Sequence, residues 1–254
     1  MECKVKSLYK ALNLLTYFDE EHKEVGVTEL AEFSGMHKSS VHNILQTFEL
    51  CGYVVQNIET RKYMLGGEIL SLFARYKSTR SIDYRVIDNL RKISTLFGGS
   101  VYLVEKNNEE TVFLCAEQSG YDKDDILAKE GMKLPMHCTS AGKVLLAFSS
   151  VEEKKKICSR TLNKYTEHTI TDEQELLKVL EKIIYDGYAV GEEEYRSGHY
   201  CVAVPIIVGA EKVNYSIMLS KRQKISTYML KRYLSELNYI SREIGSILYE
   251  GSKK

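Results

Sequence analysis

GVTELAEFSGMHKSSVHNILQTFELCGYVV, residues 26 to 55, reads as two short amphipathic helices joined by a tight turn at Ser34-Gly35-Met36. After the turn, Val41, Ile44, Leu45 and Phe48 fall at i, i+3, i+4 and i+7, so they share one inward stripe on a helix of period 3.6. Lys38, Ser39, Ser40, His42, Asn43 and Gln46 are left facing out. Before the turn, Thr28 sits where an N-cap hydroxyl would accept from the next amides, with Leu30, Ala31 and Phe33 on the inner side. Gly35 suits the junction because it accepts a positive φ without a Cβ clash. The pattern is that of a helix-turn-helix.

Such a helix can enter a major groove if its outer side chains are short, polar and able to bond phosphates and base edges, which Lys, Ser, His, Asn and Gln are. Upstream, residues 7 to 18 place Leu8, Ala11, Leu12, Leu15 and Phe18 at helical spacing, a third helix for a small core. Downstream, Gly52 stops the second helix, and Tyr53 to Met64 reads as a hairpin ending at Gly66-Gly67. Arg61 and Lys62 fall on its second strand and would lie along the DNA backbone or minor groove, so the arrangement is a winged helix-turn-helix. One feature of composition weakens this reading: basic and acidic side chains are equal in number over residues 1 to 80. Binding then requires segregated charge, with Asp19, Glu20, Glu21 and Glu24 clustered away from Lys38, Arg61 and Lys62, and it depends on dimerisation.

The chain of 254 residues is 44% hydrophobic with zero formal net charge, long enough for a second domain of roughly 170 residues. The start, MECKVKSLYK, lacks the apolar run of a secretory signal, and no stretch reaches the ~18 apolar residues of a membrane span. Cysteines at 3, 51, 115, 138, 158 and 201 form no CxxC pair or disulfide framework and fit a reducing cytoplasm. Residues 1–66 are expected to form the DNA-binding domain and 67–81 a linker helix, with Ile69, Leu72 and Phe73 on one side before a break at Ser78-Thr79-Arg80-Ser81. This helix could pack against its mate and space two recognition helices about one DNA turn, ~34 Å, apart.

Residues 82–254 mix helices and strands without regular alternation, which indicates an α+β fold with an antiparallel sheet. Helices are expected at 82–97, 139–148, 151–160, 172–186 with Thr171 as cap, and 226–249. Strands are expected at 101–106, 111–117, 126–128, 188–193, 200–207 and 214–220.

Six segments together resemble the IclR family of bacterial transcription regulators: KSLYKALNLL at 6–15, the helix-turn-helix, RKYMLGGEIL at 61–70, LPMHCTSAGKVLLAF at 134–148, YTEHTITDEQELLKVLEKIIYDGYAV at 165–190 and EEEYRSGHYCVAVPI at 192–206. The resemblance implies a GAF-like effector-binding and oligomerisation domain behind the winged helix-turn-helix. It further implies a ligand-responsive regulator, a repressor in the first instance, that binds palindromic operator DNA as a homodimer or homotetramer.

Carried over from the family, the effector pocket would involve Cys138, Ser140, Ala141 and Gly142 at a helix N-terminus able to receive a carboxylate, with Gly191, Glu192, Cys201, Met218 and Ser220 on the strands. Two departures stand out: Gly191 replaces an aspartate of members that bind small keto or hydroxy acids, and Met218 replaces a serine. These changes imply a more apolar, roomier pocket for a larger or partly aromatic metabolite. No cofactor is expected.

Three other readings are open. His199 and Cys201 could pair on one strand face as base and nucleophile, yet no orienting group or oxyanion turn accompanies them, so no catalytic residue is assigned. Cys115, His137, Cys138, His199 and Cys201 could bind zinc, but lack finger spacing, and no metal ligand is assigned. A DNA-bridging architectural protein without ligand would keep the winged domain and pack its second domain without a cavity.

Overall fold

A computed structural model describes residues 4–19, 21–79, 82–119, 127–209 and 213–252. The chain forms two compact units, Met1–Ser81 and Ile82–Lys254.

In the first unit, α1 (Lys6–Leu15), α2 (Val27–Ser34) and α3 (Lys38–Leu50) precede a hairpin of β1 (Val54–Gln56) and β2 (Tyr63–Leu65), and α4 (Gly67–Thr79) follows. The core is small: Leu14, Val25, Leu30, Ala31, Val41, Leu45, Val54 and Tyr63 are buried together, with Ile44 and Phe48 packed against them. The stripe on α3 therefore lies where its period puts it. The α1 stripe does so only in part. Leu14 is the buried residue there, with Leu15 and Phe18 packed against the core, while Leu8 and Leu12 are exposed and leave an apolar face outside. Phe33 is also exposed and packs its ring on Tyr17 at 4.4 Å.

Gly35 holds the turn at φ 63°, and Gly52 the end of α3 at φ 77°. Thr28 does not cap α2. The helix starts two residues earlier, from Gly26, whose amide donates to the Glu29 carboxylate at 2.6 Å, and Thr28 stands exposed within the first turn. An acidic side chain reaching back to the N-cap amide satisfies a donor that the helix leaves open. Arg61 and Lys62 precede β2 and lie in the wing turn, not on the strand. Residues 80 and 81 of the expected break after α4 lie outside the described residues.

The second unit is a six-stranded sheet in the order β5-β4-β3-β8-β7-β6, every pairing antiparallel. Its strands are β3 (Gly99–Asn107), β4 (Glu110–Ser119), β5 (Lys133–Pro135), β6 (Ala189–Glu192), β7 (Tyr200–Ile206) and β8 (Tyr215–Lys221). Helix α5 (Tyr84–Phe97) precedes the sheet, α6 (Ser140–Ala147), α7 (Val151–Cys158) and α8 (Glu173–Asp186) stand between β5 and β6, and α9 (Thr227–Ser252) closes the chain.

Period-2 alternation divides the strands between two cores. Val101, Leu103, Val202, Val204, Ile217 and Leu219 pack with α5 and α9. Tyr102, Val104, Cys201, Ala203 and Met218 pack with α6, α7 and α8. The sheet is thus a middle layer, and the second face carries the pocket residues.

Two local expectations are corrected. No strand forms at Leu127-Ala128, while Ile126 lies outside the described residues; the short edge strand is β5 at Lys133–Pro135. Asp172, not Thr171, caps α8, its carboxylate accepting from the Glu175 amide at 2.8 Å.

Candidate functional site

On α3, the inner side chains fix the rotation of the helix, and Lys38, Ser39, Ser40, His42, Asn43 and Gln46 are all exposed as one polar face. The wing beside it is tied down by acids. Lys62 Nζ lies 3.3 Å from the Glu29 carboxylate, so its charge is already partly met. The Gln56 amide donates to Glu49 of α3 at 3.0 Å, and Asn57 Nδ2 donates to Glu24 at 2.6 Å. Glu24 therefore does not stand apart from the wing as its place in an acidic run suggested: it is bonded into it.

In the second unit, α6 is buried along its whole length, although its sequence SAGKVLLA contains a lysine. Thr139 caps it, its hydroxyl accepting from the Gly142 amide at 3.0 Å. Gly142 is required by close approach: a Cβ there would stand 2.6 Å from the Met136 backbone. Lys143, 2% exposed, ion-pairs with the buried carboxylate of Glu194 and donates to the Val190 carbonyl at 3.2 Å. Burial pushes the Glu194 carboxyl above the ordinary carboxylate range, with the Lys143 charge opposing that shift.

A small cavity of about 10 Å³ lies at the N-terminus of α6, lined by Leu127, Cys138, Thr139, Ser140, Gly191, Glu194, Tyr195, Arg196, His199 and Cys201. Gly191 backs it closely: a Cβ there would be 3.5 Å from the Ser140 amide nitrogen. Ser140 Oγ and Glu194 Oε2 are buried there without a hydrogen-bond partner. Buried polar atoms in that condition are uncommon, and a bound water or ligand group satisfies them.

Four of the residues carried over by resemblance, Cys138, Ser140, Gly191 and Cys201, thus meet at one cavity. The others do not line it. Ala141 and Met218 are packed in the core, Gly142 is pressed on Met136, and Ser220 stands behind the wall, its hydroxyl 3.4 Å from Cys201 Sγ and 3.3 Å from His199 Nδ1. Glu192 points to solvent and pairs with Lys224 at 3.0 Å.

The three glutamates of the 192–194 run therefore have three separate tasks, because Glu193, at φ 59°, accepts from the Gly198 amide at 2.5 Å and closes the turn. Without a ligand the space at the α6 N-terminus is small. Glu194 enters it with its charge, and the space holds about one water. Lys143 and Glu194 were missed at sequence level. Their signal was an ionisable residue inside an apolar helical run, which a buried helix tolerates only with a partner.

The thiols are unsuited to nucleophilic work. Burial pushes Cys201 up to about 11 and Cys138 up to about 12, so both are neutral near pH 7. His137 does not join Cys138; its Nε2 bonds the Asn163 carbonyl at 3.0 Å. Cys115 belongs to the core on the other face of the sheet from Cys201. Among the described residues, no group of three or more His, Cys, Asp or Glu could hold a metal ion, and no helix is long and apolar enough to cross a membrane.

Comparison with known proteins decides the family. Residues 7–57 match the IclR helix-turn-helix domain, and residues 75–246 match the bacterial transcriptional regulator IclR C-terminal domain. The chain belongs to the IclR family. It is 30% identical over 244 residues to the HTH-type transcriptional regulator KdgR of Escherichia coli, covering 95% of this chain and 92% of that one.

Two solved structures have the same fold. A putative IclR transcriptional regulator from Silicibacter sp. TM1040 superposes with a TM-score of 0.85 at 22% identity, over 96% of each chain. An IclR homolog from Microbacterium hydrocarbonoxydans, solved in complex with 4-hydroxybenzoate, gives 0.76 at 19% identity, over 94% of this chain and 97% of that one. As an IclR-family member the chain is a transcription regulator with an N-terminal helix-turn-helix and a C-terminal effector domain, and not an enzyme.

Proposed function

We propose that this IclR-family chain represses transcription by binding palindromic double-stranded operator DNA as a homodimer or homotetramer, and that a small-molecule effector in the α6 cavity shifts that binding. The ligand-responsive part rests on one observation: two buried polar atoms, Ser140 Oγ and Glu194 Oε2, lack protein partners at the small cavity beside α6. Self-association is supported by the apolar side chains that α1 and α4 leave exposed, among them Leu8, Tyr9, Leu12, Leu70, Leu72 and Phe73.

On the DNA side, Ser39, Ser40, His42, Asn43 and Gln46 are proposed to reach bases and phosphates, Lys38 and Arg61 the backbone, Thr28 a phosphate from α2, and Lys62 to contribute less because Glu29 already meets its charge. Asn43→Ala is expected to relax base preference. Lys38→Ala is expected to weaken all sequences alike and to lower the salt slope by about one. Competition anisotropy with matched and mutated duplexes separates the two, and equal effects of both substitutions contradict this division of labour.

The effector proposed is larger than a two- or three-carbon acid and carries a donor, such as a hydroxyl, for Glu194 Oε2 as well as a group that bonds Ser140 Oγ. A ring is compatible, since Tyr195 lines the site and the Microbacterium homolog was solved with 4-hydroxybenzoate. Binding such a molecule displaces side chains of the 193–199 turn, because the cavity holds about one water. A melting-temperature screen of metabolites is expected to find hydroxylated acids that stabilise the protein and also change its affinity for DNA. Stabilisation by two- and three-carbon acids alone contradicts the size argument.

A further inference from the structure

The wing turn holds an acid where a DNA-binding surface would be expected to exclude one. Asn57 organises this turn: its Oδ1 accepts from the Glu59 amide at 2.9 Å and the Thr60 amide at 3.3 Å, and its carbonyl accepts from the Arg61 amide at 2.9 Å. Arg61 takes a left-handed φ of 57°, a conformation that persists in a residue with a Cβ only where its surroundings impose it. The Gln56 side chain adds a bond to the Arg61 carbonyl at 2.9 Å.

Asn57 in turn is held by Glu24, which lies in the loop between α1 and α2. One Glu24 oxygen accepts from Asn57 Nδ2 at 2.6 Å, the other from the Thr60 hydroxyl at 3.2 Å. The next residue, Val25, exchanges two backbone hydrogen bonds of 2.9 Å with Tyr63, so the loop is fastened to β2 immediately beside the carboxylate.

We propose that Glu24 is a positioning residue for DNA binding: it holds the Asn57–Thr60 turn so that Arg61 is presented to the phosphate backbone. The inference rests on the DNA-binding reading above. It also gives three of the first unit's acids a structural use, because Glu24, Glu29 and Glu49 are all engaged in fastening the wing.

The sign of the effect makes the proposal testable. By charge alone, removal of an acid near phosphates strengthens binding. By positioning, it weakens binding. The full-length parent is used to enrich a duplex from a random pool, and that duplex is the probe for the parent, Glu24→Ala, Glu24→Gln and Thr60→Val across a salt series.

Glu24→Ala is expected to bind about tenfold more weakly, with a salt slope lower by about one as Arg61 disengages. Glu24→Gln, which keeps an acceptor for Asn57, is expected to bind at least as well as the parent. Thr60→Val, which changes no charge, is expected to show a smaller loss in the same direction even if Glu24→Ala also lowers the melting temperature. Binding by Glu24→Ala and Thr60→Val as tight as the parent's overturns the proposal, as does Glu24→Gln binding as weakly as Glu24→Ala. A parent that enriches no duplex overturns the DNA-binding reading itself, a result distinct from either.

Discussion

Glu194→Ala is expected to destabilise the second unit by about 3–5 kcal/mol, the usual consequence of leaving one member of a buried ion pair alone. Lys143 is 2% exposed and its ammonium has Glu194 and one carbonyl as partners, so the alanine variant leaves a charge in the core of α6. The reverse single change, Lys143→Met, leaves the carboxyl instead. With the lysine gone, burial raises the Glu194 carboxyl further, and a group whose folded pKa lies above its unfolded value supports the fold fully below the unfolded pKa. Stability of Lys143→Met should therefore be greatest below about pH 4 as far as this group is concerned, and fall as pH rises through the raised value.

The paired replacement Lys143→Met with Glu194→Leu removes both charges and is expected to restore most of the lost stability, while abolishing the response to effector. Chemical denaturation of the four proteins at several pH values measures this. A Glu194→Ala variant as stable as the parent would mean that the pair is not buried in solution.

Leu45→Ala is the second large effect. Leu45 is fully buried in a core of eight buried side chains that serves the whole first unit, and leucine-to-alanine changes at such positions cost about 2–5 kcal/mol. A unit of this size has a total stability of roughly 4–12 kcal/mol, so the loss is a large share of it. The expected result is DNA affinity reduced to a non-specific level at growth temperature, with the thermal transition of the second unit unchanged. Parent-like DNA binding by Leu45→Ala would contradict the assignment of α3 as the helix whose placement this core determines.

The parts of the fold legible in sequence were those with a clean period. The α3 stripe of Val41, Ile44, Leu45 and Phe48 and the antiparallel strands of the second unit are of that kind, because burial on one side leaves a local repeat. Leu8 and Leu12 of the α1 stripe misled because the apolar side chains of that helix exceed what the core takes in, and an exposed apolar face has the same period as a buried one. Thr28 misled because hydroxyl caps are common, whereas Glu29 closes the helix from three residues inside.

At the cavity, Cys138, Ser140, Gly191 and Cys201 were reached through family resemblance, while Lys143 and Glu194 were not. Their pairing spans 51 residues and depends on α6 being buried all round, which no local pattern states. The wing acids were misread for the same reason: Glu24 meets Asn57 across 33 residues, so its place in an acidic run says nothing of its partner.

Fluorescence anisotropy of the full-length protein on DNA from upstream of its own gene, against shuffled DNA of equal length and across a salt series, tests the central claim most directly. Preferential binding that weakens steeply with salt and changes on addition of a stabilising metabolite is the result expected of a ligand-responsive regulator. Equal affinity for both DNAs at every salt concentration, unchanged by any metabolite that stabilises the protein, would contradict it.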